Sequence, residues 1–227
     1  LSENTASENG INGVIIKLVQ DRDYTLSANL PYYVIEDNTV KAGATLTIPA
    51  GTIIKFDPLA TFTVRGTLVA EGTASDKIVF TSLKDDAHGG DTNGDGASTT
   101  PAAGDWKNIT FSQNLATSTL SYAVIRYGGS KNGLDPRGAL RAVRSSIVFN
   151  HGIIENNGLS GMVLERSTST IISDSIIRNH QGPGESGLLL GLSSTPTIAN
   201  TAFSDNDTDI YSDGTSSYTN GGGNTFN

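Results

Sequence analysis

The second half of this chain repeats itself. Short apolar segments with β-branched centres align on Ile125, Ile154, Ile177 and Phe203, which lie 29, 23 and 26 residues apart. A second apolar segment precedes each of them, at residues 108–111, 138–141, 161–164 and 187–190. Fixed apolar cores with variable spacers indicate a solenoid, because each repeat of a solenoid contacts mainly its neighbours and tolerates loops at one corner.

The first half repeats at a shorter spacing and shows that the repeated unit is a strand. Residues 43–48 and 59–64 share an alternating Thr pattern sixteen residues apart. In the first segment Leu46 and Ile48 alternate with threonines, which is typical of a half-buried strand. Gly, Asn and Asp bound the segments and no helical period is present, so the sequence predicts stacked coils of short parallel strands about 4.8 Å apart.

The aligned coils also predict where individual side chains point. Two inward ladders are predicted, Leu120/Phe149/Ile172/Ile198 and Ile125/Ile154/Ile177/Phe203. Arg126, Glu155 and Arg178 share an outward position, which predicts a column of alternating charge with ion pairs from coil to coil. A turn position is assigned to Asn156, Asn179 and Asn206, whose stacked amides would hydrogen-bond between coils.

The repeats divide the chain into three parts. Residues 1–38 fit the repeat poorly and are predicted to form an N-terminal cap over the open end of the core. Residues 39–211 form the predicted solenoid, with an inserted acidic loop at residues 83–105. Residues 212–227, rich in Gly, Ser and Asn, are predicted to be an irregular last coil or a linker.

Composition excludes several kinds of partner. The formal net charge is −8 and no Lys/Arg cluster is present, so we expect no nucleic-acid binding. No apolar run reaches the roughly 20 residues of a membrane span, so we expect no membrane insertion. Cysteine is absent, and His88, His151 and His180 share no repeat position, which favours surface or turn histidines over zinc ligands.

The acidic loop carries a calcium-binding pattern. Asp91, Asn93, Asp95 and Gly96 match the first, third, fifth and sixth positions of an EF-hand-type loop, in which oxygen ligands alternate and the glycine allows a sharp turn. Ala97, at the seventh position, would supply its backbone carbonyl.

The calcium pattern is incomplete, because its twelfth position is Ala102 rather than Glu and no helices flank the loop. Asp86 and Asp105 are therefore the predicted sources of the missing carboxylate, with Asp85 in reserve. The sequence predicts a structural Ca²⁺ in preference to Mg²⁺, which keeps more of its waters, held by Asp86, Asp91, Asn93, Asp95, Ala97 and Asp105. The alternative is a solvated Asn/Asp/Gly turn without an ion.

Residues 40–56, 66–74, 78–82 and 121–129 resemble the coils of right-handed parallel β-helix domains of bacterial secreted and cell-surface proteins. The resemblance covers roughly residues 35–210 and implies an all-β, single-stranded right-handed parallel β-helix (β-solenoid) with an N-terminal cap. It also implies an extracellular or cell-surface location. Polysaccharide lyases are distant relatives, and their chemistry uses an Arg base with Ca²⁺ on a uronate.

The sequence favours a noncatalytic extracellular structural or adhesion module, stabilised by Ca²⁺, with polysaccharide or another cell-surface component as partner. The alternative is an enzyme, either a polysaccharide lyase that acts on acidic polysaccharide or a glycoside hydrolase, although no catalytic motif is recognisable. Ice binding is a third interpretation, since Thr45, Thr47, Thr61 and Thr63 form two Thr-x-Thr pairs. The oligomeric state stays open.

Overall fold

The computed structural model describes residues 4–17, 19–27, 29–113, 116–131 and 138–227. Within these ranges the regular structure consists of strands in three all-parallel sheets, which we name A, B and C. The predicted all-β right-handed parallel β-helix is therefore confirmed. No helix in the described ranges is long and apolar enough to cross a membrane.

Each coil of the solenoid contributes one strand to each sheet, in the order A, B, C. Sheet A contains β1 (Val14–Ile16), β4 (Tyr32–Val34), β7 (Ile53–Phe56), β10 (Ile78–Ser82), β13 (Ala123–Arg126), β16 (Ile153–Glu155), β19 (Ile176–Arg178), β22 (Ala202–Ser204) and β25 (Thr225–Phe226). Sheet B contains β2 (Val19–Gln20), β5 (Asp37–Val40), β8 (Thr61–Val64), β11 (Asn108–Ser112), β14 (Gly138–Val143), β17 (Ser160–Glu165), β20 (Ser186–Gly191) and β23 (Thr208–Ser212). Sheet C contains β3 (Tyr24–Thr25), β6 (Thr45–Pro49), β9 (Thr67–Glu71), β12 (Ser118–Ser121), β15 (Ile147–Asn150), β18 (Ile171–Ser173), β21 (Thr197–Ala199) and β24 (Thr219–Asn220).

The register of the strands confirms both inward ladders. In sheet A, Ile125 pairs with Ile154, Ile154 with Ile177, and Ile177 with Phe203, and all four side chains are fully buried. The second ladder, in sheet C, is aligned and buried in the same way. Alternation in each short strand thus fills one continuous interior with stacked apolar side chains.

The two ends of the chain join the same three sheets. Strands β1 to β5, over residues 14–40, pair in parallel with the coils that follow them. The segment predicted as a cap therefore contributes strands to the first coils. In the final segment, β24 and β25 continue sheets C and A.

A residue with positive φ closes the corner between sheets A and B in four successive coils. These residues are Tyr127 (62°), Asn156 (55°), Asn179 (59°) and Asp205 (55°). Asn and Asp tolerate this left-handed conformation better than most residues. At this corner the Asn179 Nδ2 donates to the Asn156 Oδ1 at 2.9 Å, so the predicted amide contact between these two coils is confirmed.

The assignment of Asn206 to that same ladder is wrong. Ile177 pairs with Phe203, so Asp205 occupies the corner and Asn206 lies one position further on, level with His180. This position forms a second, buried ladder. The His180 ring contacts the Asn157 Nδ2 through Nε2 at 3.1 Å and the Asn206 Oδ1 through Nδ1 at 2.9 Å.

The hydrogen-bond partners of the His180 ring define its tautomer and its protonation state. The Asn206 Nδ2 donates to the Ile177 and Asp209 oxygens, and the Asn157 Oδ1 accepts from the Gly128 N–H, so the Asn206 Oδ1 and the Asn157 Nδ2 face the ring. The imidazole therefore donates from Nδ1, accepts at Nε2 and is neutral. Burial lowers the pKa of His180 to about 4. His180 is therefore a turn residue whose side chain is buried, and it is not a surface residue.

We expect His180 to make the fold sensitive to acid. Its pKa is about 4 in the folded chain and 6.5 for an unperturbed side chain, so the unfolded chain takes up the proton first as the pH falls below 6.5. The contribution of His180 is complete above pH 6.5 and is lost progressively towards pH 4, by about 3 kcal/mol in total. Urea unfolding at pH 7 and pH 5 should show that His180→Gln loses less stability than the parent across this interval. An identical loss in both proteins would contradict the buried neutral imidazole.

Candidate functional site

The acidic loop, residues 83–105, connects β10 to β11 and lies against the outer face of sheet A. It covers Lys55, an outward-facing residue of β7 whose side chain is fully buried. The Lys55 Nζ donates to the Gly90 carbonyl at 2.6 Å. Burial lowers the pKa of Lys55, and the nearby Asp85, Asp86 and Asp91 carboxylates oppose this shift. The loop is thus attached to the wall by a buried cation.

Two further contacts hold the loop, one at its middle and one at its end. The backbone N–H of Asn12 donates to the Thr92 carbonyl at 2.7 Å, and its Nδ2 donates to the Asp91 carbonyl at 3.0 Å. Immediately after the loop, the fully buried Trp106 stacks on Phe56 with ring centroids 4.2 Å apart. Trp106 therefore anchors the chain in the core and offers no exposed platform for a sugar.

The predicted calcium turn forms a compact structure around Asp91. The Asp91 Oδ1 accepts from the backbone N–H of Asp95 at 3.1 Å, and its Oδ2 accepts from that of Gly96 at 2.8 Å. Gly94 and Gly96 adopt φ of 68° and 72°, which favours glycine. The spacing of the motif therefore brings the side chains of Asp91, Asn93 and Asp95 together.

The structure brings Asp86 to this turn. Asp86, Asp91 and Asp95 each offer an oxygen atom, and these three atoms lie within 4.8 Å of one another. The Asp86 Oδ1, Asn93 Oδ1 and Asp95 Oδ1 are buried and have no hydrogen-bond partner. Burial of the carboxyl group, followed by the charges of Asp91 and Asp95, raises the pKa of Asp86, against the effect of Lys55. Asn93 joins the three carboxylates through a hydrogen bond from its Nδ2 to the Asp95 Oδ2 at 2.7 Å, so four of the six predicted ligand residues lie together, three of them with an unused oxygen atom.

Asp105 and Asp85 take part in other networks. The Asp105 Oδ2 accepts from the Ser82 Oγ and the Ala102 N–H, and its Oδ1 accepts from the Lys84 Nζ at 2.9 Å. The structure thus places Asp105 outside the cluster of Asp86, Asp91 and Asp95, and its role as a ligand stays a prediction. Ala97 follows Asp95 in the same turn, but its carbonyl remains a predicted ligand only.

The reserve ligand, Asp85, makes its contacts outside the cluster through one oxygen, Oδ2. Its Oδ2 accepts from the Thr81 Oγ1 at 2.6 Å and contacts the His88 Nδ1 at 3.0 Å. Although burial opposes it, hydrogen bonds from His88 and Thr81 and the charge of Arg126 lower the pKa of Asp85. Asp85 thus fixes the start of the loop to β10.

The predicted charge column on the outside of sheet A is confirmed. Arg126 pairs with Glu155, and Glu155 pairs with Arg178. The Glu155 carboxylate lies 3.6 Å from the Arg126 Nε and 2.7 Å from the Arg178 Nη2. The two Thr-x-Thr pairs, by contrast, belong to β6 in sheet C and β8 in sheet B, so they do not form one flat array for ice binding.

The residues of the cluster fit a hard divalent cation. Carboxylate and amide oxygens are the ligands that Ca²⁺ prefers, and it accepts six to eight of them in irregular geometry. Buried oxygens without partners are unfavourable in the protein alone, and three close carboxylates repel one another. The Lys55 ammonium group offsets part of this negative charge, but it donates a hydrogen bond to the Gly90 carbonyl. Asp86, Asp91, Asn93 and Asp95 would hold the ion.

A comparison with known protein families identifies the family to which the chain belongs. A profile described as a pectate-lyase-like β-helix domain matches residues 17–172. The chain belongs to this family. Searches of curated proteins and of solved structures gave no match. Membership of the pectate-lyase-like β-helix family agrees with the three parallel sheets, and it does not by itself assign an activity, because one fold hosts many functions.

Sequence reasoning missed the residues that hold the acidic loop in place. Lys55 occupies an outward position in an alternating strand, and nothing in its neighbourhood indicates that a distant loop covers it. Asn12 lies far from the loop in sequence. The motif spacing found the turn at residues 91–96, but the packing of that turn on sheet A depends on tertiary contacts.

Proposed function

We propose that this chain is a noncatalytic structural or adhesion module of an extracellular or cell-surface protein, stabilised by one Ca²⁺ in the acidic loop. The observation that supports the ion most directly is the cluster of buried oxygens without partners on Asp86, Asn93 and Asp95. A cation there would join the loop to the outer wall of the β-helix. Binding to the folded state alone would stabilise it by mass action.

Polysaccharide is the ligand class that we propose for the module. Three arginines of the second half, Arg126, Arg141 and Arg178, are engaged in ion pairs, which favours a structural role over that of a catalytic base. The Arg141 Nε donates to the Glu165 carboxylate at 2.9 Å, and Glu155 pairs with both Arg126 and Arg178. Such pairs hold successive coils in register.

Incubation with polysaccharides tests the noncatalytic proposal. We expect no rise in ultraviolet absorbance when the purified chain is mixed with polygalacturonate in millimolar Ca²⁺, because lyase cleavage would create a conjugated double bond. A glycan array run with the same preparation is expected to show binding. A sustained rise in absorbance would overturn the noncatalytic proposal in favour of a lyase.

A further inference from the structure

A polar groove of about 740 Å³ runs along the corner between sheets A and B, on the side of the acidic loop's last turn. Residues 101–103 form one wall. Tyr127, Asn156 and Asn179 line the floor, one from each of three successive coils. Because successive coils are about 4.8 Å apart, the floor presents a regular row of side chains parallel to the solenoid axis.

Close packing of backbone gives the groove its shape. At Gly158, an added Cβ would lie 2.9 Å from the Cα of Gly104 and 2.9 Å from the carbonyl oxygen of Gly129. Only glycine allows the wall to approach the floor this closely. The Gly104 N–H also donates to the Gly128 carbonyl, so the wall is fixed to the β-helix.

The amides on the floor keep unused hydrogen-bonding atoms. The Asn179 Nδ2 donates to the Asn156 Oδ1 at 2.9 Å, which fixes the orientation of both groups. In the part of the chain that the structure describes, no hydrogen bond uses the Asn156 Nδ2 or the Asn179 Oδ1. Gln181 donates its Nε2 to the Asp205 carbonyl and leaves its Oε1 available. The groove thus offers a donor and acceptors at fixed positions.

Beside the amides lies one aromatic ring. The Arg126 guanidinium carbon is 4.5 Å from the centroid of the Tyr127 ring, and its Nη2 donates to the Tyr127 hydroxyl at 2.7 Å. Arg126 therefore covers one face of the ring and holds it in place. Among the described residues that line the groove, Lys131 is the one that carries a charge, and the whole chain has a net charge of −8.

We propose that this groove binds an extended neutral oligosaccharide along the solenoid axis. Fixed amide donors and acceptors match the hydroxyl groups of a sugar, and a held aromatic ring matches its apolar face. The net charge of −8 on the whole chain repels an anionic uronate, so a neutral saccharide is the ligand that we propose. The proposal rests on the carbohydrate-binding part of the proposed function and assigns it a site and a ligand class.

Asn156→Asp is the sharpest test of the groove, because it replaces only the unused donor. The Oδ1 that accepts from Asn179 is retained, and the shape of the side chain does not change. Asn220→Asp is the matched control, since the Asn220 Oδ1 also accepts hydrogen bonds, from Gly222 and Asn224, at an exposed site in sheet C. Both variants add the same charge, and thermal melts will show whether both remain folded.

The probes are neutral gluco-, manno-, galacto- and xylo-oligosaccharides, with oligogalacturonates as the acidic arm. We expect the parent and Asn220→Asp to bind at least one neutral series with equal affinity, and Asn156→Asp to bind it about ten-fold more weakly. Equal neutral-glycan binding by all three proteins would show that the groove is not the binding site, although the chain would still bind carbohydrate. Binding of oligogalacturonates alone would also contradict the proposal that the groove binds a neutral saccharide. If neither the neutral nor the acidic oligosaccharides bind, both the proposed binding site in the groove and the proposed ligand class would be contradicted.

Discussion

Ile177→Asp is expected to unfold the C-terminal half of the solenoid. Ile177 is fully buried between Ile154 and Phe203 in the inward ladder of sheet A. The substitution removes a buried apolar side chain and places a carboxylate in the apolar core. We expect a loss of more than about 4 kcal/mol, which approaches the whole stability of an ordinary domain. Circular dichroism and urea unfolding will measure it.

The neighbouring residue gives a matched control for this prediction. Ile176 is 36% exposed and points outwards from the same strand. Ile176→Asp introduces the same side chain on the opposite face, so we expect a change within about 0.5 kcal/mol. Similar losses for the two variants would contradict the inward and outward assignment of β19, and with it the register of the coils.

Removal of calcium is expected to lower the midpoint of thermal unfolding. At a calcium concentration 100 times its dissociation constant, binding to the folded chain alone stabilises it by about 2.7 kcal/mol. For a domain of this length, that corresponds to about 5–10 °C. Melts in millimolar Ca²⁺ and in excess chelator will measure the difference. Asp207→Ala, an exposed carboxylate outside the loop, should keep the full difference, whereas Asp95→Ala should lose it.

Asp86→Asn is expected to lower the midpoint of thermal unfolding in Ca²⁺ but not in chelator. Because burial and two neighbouring carboxylates raise the pKa of Asp86, its negative charge is unfavourable in the absence of a cation. In chelator we therefore expect this variant to melt no lower than the parent. In Ca²⁺ it should melt lower, because a ligand is lost. Equal shifts in both solutions would indicate a packing defect and not a metal site.

The sequence predicted the interior of this fold well, because the interior depends on a local pattern. Alternation within short strands determines which side chains face inwards, and the two predicted inward ladders have the register that sheets A and C show. The outward charge column followed from the same alignment. These features repeat from coil to coil, so several copies of each signal support one interpretation.

The corners were harder to predict, because their conformation is not tied to one type of residue. Positive φ occurs at Tyr127 as well as at Asn156 and Asn179, and at Arg144 and Leu192 elsewhere in the chain. An alignment guided by asparagines therefore shifted Asn206 by one position. His180, at the position that Asn206 does match, has no asparagine-like signature in sequence, yet it completes the buried ladder.

The candidate metal site was predicted in part for a related physical reason. The spacing of Asp91, Asn93 and Asp95 is a local signal, because a tight turn brings alternate residues to one side. The remaining predicted carboxylate lies outside residues 91–96. The sequence alone therefore left both Asp86 and Asp105 as candidates, because their positions relative to the turn depend on tertiary packing. Lys84 and Ser82 engage Asp105, and the turn of the loop brings Asp86 to the cluster.

Anomalous X-ray diffraction from crystals grown in Ca²⁺ tests the central claim most directly. We predict one calcium peak in the acidic loop, with oxygens of Asp86, Asp91, Asn93 and Asp95 at about 2.3–2.6 Å from the ion. Crystals of the Asp95→Ala protein grown in the same solution should lack that peak. An acidic loop without a peak in millimolar Ca²⁺, or a peak bound by none of these four residues, would contradict the calcium-stabilised module proposed for this chain.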